Sequence, residues 1–125
     1  MEGLDYAHKN GVLHRDIKPG NILLKGDELK ITDFGLARAM NPEEKITQAN
    51  AFLGTPVYTP PEQIQGKVAE MDGRADTYAV GIMLYEMLTE LIPYRGKTFA
   101  EISKKIVYDE PVSPRRYNPN IPRDL

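Results

Sequence analysis

The stretch RADTYAVGIMLYEMLT, Arg74 to Thr89, narrows the choice of fold more than any other part of the chain. Ala75, Tyr78, Ala79, Val80, Ile82, Met83, Leu84, Tyr85, Met87 and Leu88 cover nearly every face at a 3.6-residue period. The segment is therefore expected to form a helix surrounded by protein and to be the hub of the fold. Asp72 stands where an N-cap is needed. Glu86 and Glu90 interrupt the apolar run well short of a bilayer's thickness, which excludes a membrane span here.

The neighbouring segments read as smaller elements. Met1, Leu4, Ala7 and His8 recur at helical spacing, and Asn10-Gly11 is a helix stop. Ile22-Leu23-Leu24 and Leu29-Lys30-Ile31, separated by Lys25-Gly26-Asp27-Glu28, predict a hairpin that must lean on other structure. From Asp33 to Gly54 no period is sustained, so a long loop is expected. Glu62 to Gln65 predicts one helical turn between Pro60-Pro61 and Gly66. Thr98 and Glu101 have capping-box spacing ahead of Phe99, Ile102, Ile106 and Val107 on one helix face. After Asp109, four prolines argue against regular structure, and IPRDL reads as a helix beginning. The expected class is α+β, mostly helical, in a single domain.

Composition removes several functions. The chain has 125 residues with 16 basic and 18 acidic side chains, net charge -2, and the basic residues are scattered. That distribution argues against a nucleic-acid or anionic-membrane surface. With no Cys there are no disulfides and no thiolate metal sites, which permits a reducing cytoplasm, and only His8 and His14 remain as imidazoles. The opening MEGLDYAHKNG has no basic start followed by an apolar core.

Chemistry concentrates in HRDIKPGN, His14 to Asn21. Asp16 lies between Arg15 and Lys18, and seventeen positions later Asp33 follows the expected hairpin and precedes Phe34-Gly35. Two carboxylates are thus offered from loops flanking one hairpin. Asn21 with Asp33 makes a hard-oxygen pair suited to magnesium, whose other ligands would be water and phosphate. Asp16 is then free to accept a hydroxyl proton, and Lys18 to offset charge on a transferred group.

These residues, in this order, resemble the eukaryotic-like, Hanks-type Ser/Thr protein kinases, most closely those of bacteria. HRDIKPGN is similar to their catalytic loop, Asp33-Phe34-Gly35 to their magnesium-binding triplet, Gly54 to Glu62 (GTPVYTPPE) to the end of their activation loop, and ADTYAVGIMLYEMLTE to their buried central helix. The resemblance implies the incomplete large lobe of a kinase domain over residues 1–125, with its hairpin beside the catalytic loop. It implies ATP and Mg2+ as cofactors and protein Ser/Thr hydroxyls as acceptors, in the cytoplasm or on the cytoplasmic part of a membrane-anchored protein. Asp16 would be the catalytic base, Lys18 a neighbour of the transferred phosphate, Asn21 and Asp33 the metal ligands, and Thr55 the hydroxyl steadying Asp16 and Lys18. Arg15 would receive a phosphate from the activation loop, where Thr47 stands at a phosphorylated position of bacterial relatives. His14, Gly35, Glu62 and Asp76 would be structural, with His14 packed beneath Asp33-Phe34-Gly35 and Asp76 bonded to the catalytic-loop backbone. His8 reads as an ordinary surface residue.

The chain departs from the family pattern in two ways. Pro60 replaces a usual Ala, and no Gly-rich loop, phosphate-binding strand Lys, partner Glu or hinge is found. The Arg that the family pairs with the Glu at position 62 is missing as well. The chain is accordingly expected to be a fragment, with a noncatalytic kinase-like scaffold and a small-molecule phosphotransferase as the alternative readings.

Overall fold

The computed structural model describes residues 2–34 and 56–125. Helix α1, Glu2–Lys9, carries acidic residues in its first turn and His8 and Lys9 in its last, matching the helix dipole at both ends. It ends at Gly11, whose φ of +71° is open to glycine at little strain. Strands β1, Ile22–Lys25, and β2, Glu28–Ile31, pair antiparallel with Ile22 opposite Ile31 and Lys25 opposite Glu28. A two-residue Gly26-Asp27 turn, with Gly26 at φ +62°, closes the hairpin. Helix α2, Pro61–Ile64, is the single turn expected, and Gly66 at φ +75° ends it.

Helix α3, Gly73–Thr89, is the long central element. The Asp72 carboxylate accepts the Arg74 amide at 2.9 Å, and the Arg74 side chain beside it holds that carboxyl below its ordinary range. Helix α4, Phe99–Tyr108, opens on Thr98, whose Oγ1 accepts the Glu101 amide at 3.1 Å. The reciprocal half of the capping box differs from expectation, because Glu101 Oε2 accepts the amide of Lys97, one residue before the cap, at 2.8 Å.

Two connected clusters make the core. Val57, Ile82, Tyr94, Ile102 and Ile106 join α3, α4 and the short 3-10 turn Pro56–Tyr58. Leu4, Ile17 and Ala79 join α1 and the HRDIKPGN loop to α3, with Ile31 of the hairpin packed against them. Tyr58 touches both clusters and donates to Glu86; burial, with that carboxylate adding to it, pushes its phenol up to about 12. The second cluster is the one that matters for chemistry, because it seats the loop on the central helix.

Three expectations are corrected. Helix α3 is buried on one face, at Ala75, Asp76, Ala79, Ile82 and Tyr85, while Leu84 and Met87 are exposed, so the described residues surround only part of it. Pro114–Arg116 forms a 3-10 turn within the proline-rich segment, since Pro at the first helical position sacrifices no hydrogen bond. Residues 121–125 form turns rather than a helix start, with Ile121 buried as an anchor. The long loop expected from Asp33 to Gly54 lies outside the described residues from position 35 onward.

Candidate functional site

The HRDIKPGN loop is organised around two buried side chains, His14 and Asp76, exposed 0% and 1%. Asp76 sits in the first turn of α3 and accepts three bonds. Its Oδ1 takes the Arg15 amide at 2.8 Å, and its Oδ2 takes the His14 amide at 2.9 Å. The same Oδ2 lies 2.7 Å from His8 Nε2. Arg15 has a φ of +65°, a left-handed conformation that costs a non-glycine residue about 1 kcal/mol or more. The two amide bonds to Asp76 are what hold the turn in that state.

His14 carries the tie onward. Its Nε2 donates to the Thr32 carbonyl at 2.7 Å while its Nδ1 accepts the Asp16 amide at 3.2 Å, a pattern met by the tautomer protonated on Nε2. The ring also meets the edge of Phe34, with centroids 4.7 Å apart. One imidazole therefore joins the backbone of Asp16 to the residue before Asp33.

Asn21 makes the second tie. Its side-chain amide donates to the Asp16 carbonyl at 2.7 Å and reaches Asp16 Oδ2 at 3.2 Å. Its own carbonyl accepts the Thr32 amide at 2.9 Å, extending the hairpin pairing by one step beyond Ile22 and Ile31. Hairpin register thus brings Asn21 beside Thr32 and one residue from Asp33. The Asn21 nitrogen is bonded to Asp16, so the amide oxygen is the atom this side chain could offer as a ligand. Asp33 is exposed and left-handed, at φ +63°. Among the described residues no group of three or more His, Asp or Glu is placed to bind a metal alone. Asn21 and Asp33 fit a magnesium ion that takes few protein oxygens and completes its shell with water and phosphate.

Asp16 and Lys18 complete the open face. Lys18 Nζ lies 3.1 Å from Asp16 Oδ2, and both side chains are nearly half exposed, so the pair is worth little to stability. A carboxylate held beside an ammonium, open to solvent and adjacent to a hard-oxygen pair, can accept a proton next to a bound phosphate.

Other expected site residues are less connected. Arg15 is half-buried and its guanidinium closes no ion pair among the described residues. Glu62 is half-buried on α2; Arg74 feels its charge, yet no ion pair to it closes among the described residues. Gly35, Thr47 and Thr55 lie outside the described residues. His8 was expected at the surface and is corrected: it is half-buried against Asp76, with its side chain 24% exposed. Its partner lies 68 positions away, beyond the reach of any local spacing rule.

Residues 1–123 match the protein kinase domain. The chain belongs to the protein kinase family. It is 46% identical over 122 residues to a probable serine/threonine-protein kinase of Clostridium acetobutylicum, a match covering 97% of this chain and 18% of that protein. It is 40% identical over 126 residues to the serine/threonine-protein kinase PrkC of Bacillus subtilis, covering 100% of this chain and 19% of PrkC. It is 37% identical over 125 residues to the serine/threonine-protein kinase PknB of Mycobacterium leprae, covering 99% and 20%. The chain spans about a fifth of the length of these curated relatives.

Proposed function

We propose that residues 1–125 are the central, large-lobe segment of a serine/threonine protein kinase domain, which moves the γ-phosphate of Mg-ATP to Ser or Thr hydroxyls of proteins. The observation that carries this reading is the double tie from Asp16 to the Asp33 side of the hairpin, through His14 and through Asn21. It supports the reading because it links the backbone of Asp16 to Asn21 and to Thr32, the residue before Asp33. A scaffold would not require that juxtaposition.

In this reading Asp16 orients the acceptor hydroxyl and takes its proton, and Lys18 offsets charge on the transferred group. Asn21 and Asp33 hold magnesium, which when bound neutralises phosphate charge. Thr55 steadies Asp16 and Lys18, and Arg15 receives a phosphate on Thr47 as a loop switch. ATP is a cytoplasmic nucleotide, so the site works on the cytoplasmic side.

The test uses a completed domain, residues 1–125 joined to the flanking segments of the Clostridium acetobutylicum relative. Transfer of labelled phosphate from Mg-ATP to a Ser/Thr peptide is expected. Asp33→Asn should weaken Mg-nucleotide affinity by about 10–100-fold, the range seen when metal sites lose supporting groups. A domain that binds Mg-ATP but transfers nothing would end the proposal, as would unchanged affinity in Asp33→Asn.

A further inference from the structure

Seven of the chain's nine Ser and Thr residues fall among the described residues, and six of them are bonded or covered. Thr77 Oγ1 donates to the Gly73 carbonyl at 3.0 Å, Thr89 Oγ1 to the Tyr85 carbonyl at 2.7 Å and Thr32 Oγ1 to the Asn21 carbonyl at 3.3 Å. Thr98 is occupied as the cap of α4, Thr59 is half-buried and Ser103 is buried. Ser113 is the one left. It is exposed, and its hydroxyl closes no hydrogen bond among the described residues.

The backbone around Ser113 is extended and clear of the fold. Asp109 to Ser113 form neither helix nor strand, and every one of them is exposed. Two phenols hold this strip from beneath: Tyr94 donates to the Asp109 carbonyl at 3.3 Å and Tyr85 to the Val112 carbonyl at 2.9 Å. Pro114 restricts the residue before it to extended backbone, and Ser113 has φ −52° and ψ 128°. A strip held in this way has little freedom left to lose when another molecule binds it.

Arg115 and Arg116, two and three residues on, are exposed in the turn Pro114–Arg116 and close no ion pair among the described residues. Both side chains are long enough to reach a group on Ser113, and the guanidinium fork matches phosphate oxygens. The strip also lies far from Asp16. Asp76, which holds the HRDIKPGN loop, and Tyr85, which holds Val112, stand nine residues apart on α3, about 13 Å along its axis. Transfer to a docked Ser113 therefore runs between two copies rather than within one.

We propose that Ser113 is a phosphoryl acceptor for a second copy of the same kinase domain, and that Arg115 and Arg116 hold the phosphate. This rests on the reading of the chain as part of a Ser/Thr kinase that uses Mg-ATP. The bond from the γ-phosphorus to its bridging oxygen breaks and that oxygen leaves with ADP. Ser113 Oγ bonds to the phosphorus, and its proton passes to Asp16 of the second copy. The product puts a charge of about −1.5 to −2 at the Pro114–Arg116 turn, which Asn118 ties to the Leu88 carbonyl of α3 at 2.9 Å.

The experiment mixes the completed domain with a mass-tagged Asp16→Asn copy, Mg-ATP and a Ser/Thr peptide, and maps phosphate on each copy. On the Asp16→Asn copy, Ser113 should carry at least about tenfold more phosphate than Thr77 or Thr98, each of which must first give up a hydrogen bond. Adding Ser113→Ala to that copy should remove this phosphate and leave peptide turnover by the active copy unchanged. By phosphorus NMR the Ser113 phosphate should titrate about half a unit or more below the ordinary midpoint of about 6, and Arg115→Ala with Arg116→Ala should restore it. A phosphorylated peptide with Ser113 no more modified than Thr77 and Thr98 overturns the assignment of Ser113 and leaves the kinase reading standing. Phosphate at Ser113 of the active copy alone overturns transfer between copies. A midpoint of about 6 that the arginine substitutions do not move overturns the role of Arg115 and Arg116. If neither peptide nor domain is phosphorylated, the kinase reading fails and Ser113 falls with it.

Discussion

Asp16→Asn in the completed domain is expected to lower turnover by about 10²–10⁴-fold, the range ascribed to one positioned general base. Mg-nucleotide affinity should stay within about twofold. The substitution keeps the shape and removes only the ability to accept a proton; two ties to the loop pass through the Asp16 backbone, and the third, from the Asn21 amide to Oδ2 at 3.2 Å, can still be accepted by the new amide oxygen. Its carbonyl accepts Asn21 at 2.7 Å and its amide donates to His14 at 3.2 Å. Neither bond is altered by an amide side chain. Lys18 loses its partner, but both groups are nearly half exposed and that loss is small. Turnover by phosphopeptide formation and affinity by calorimetry, measured separately, decide the matter. Equal losses in both would show that Asp16 serves the metal rather than the hydroxyl, and the division of roles with Asp33 would fail.

The second large effect is on stability. Asp76→Ala should destabilise the completed domain by about 3–5 kcal/mol, because a 1%-exposed carboxylate is replaced by a methyl group. The His14 and Arg15 amides then lose the carboxylate that accepts them, and each orphaned donor costs about 1–3 kcal/mol where it is buried. Asp76→Asn should recover only part of this, since one of its two terminal atoms presents hydrogens where an amide already points. Urea unfolding should show a lower midpoint with an unchanged slope. A loss below about 1 kcal/mol in Asp76→Ala would mean that water replaces the carboxylate and that the turn does not depend on it.

What could be read without coordinates was whatever local spacing encodes. The hairpin was legible because Gly26 stands where its turn needs a left-handed residue, and α3 because Asp72 caps a run too apolar to be exposed. Asp16, Asn21 and Asp33 were legible as chemistry because their types and intervals serve metal and proton together. The exposure of Leu84 and Met87 was not, since an apolar residue at a helical position does not say which neighbour covers it. The role of Glu101 shifted by one residue because a long side chain reaches either of two adjacent amides. His8 was illegible for a different reason. A single histidine at the end of an eight-residue helix has no periodic signature, and Gly73 reads as a poor helix residue until the ring above it is seen.

The bonds from the His14 and Arg15 amides to Asp76 close loops of 62 and 61 residues. Closing a chain of that length costs about 3.6 kcal/mol of entropy from the length-dependent part alone. The turn before Asp16 therefore cannot form early on its own account. Ribosomes extend a chain at about 5–20 residues per second, so Asp76 is added roughly 3–12 seconds after His14. In that interval the two amides lack the Asp76 carboxylate, and the hairpin that follows lacks the Ala79 part of the cluster on which Ile31 packs. The left-handed state of Arg15 is adopted when the N-terminus of α3 arrives, and the arrangement around Asp16 is imposed backward along the chain by a residue made later.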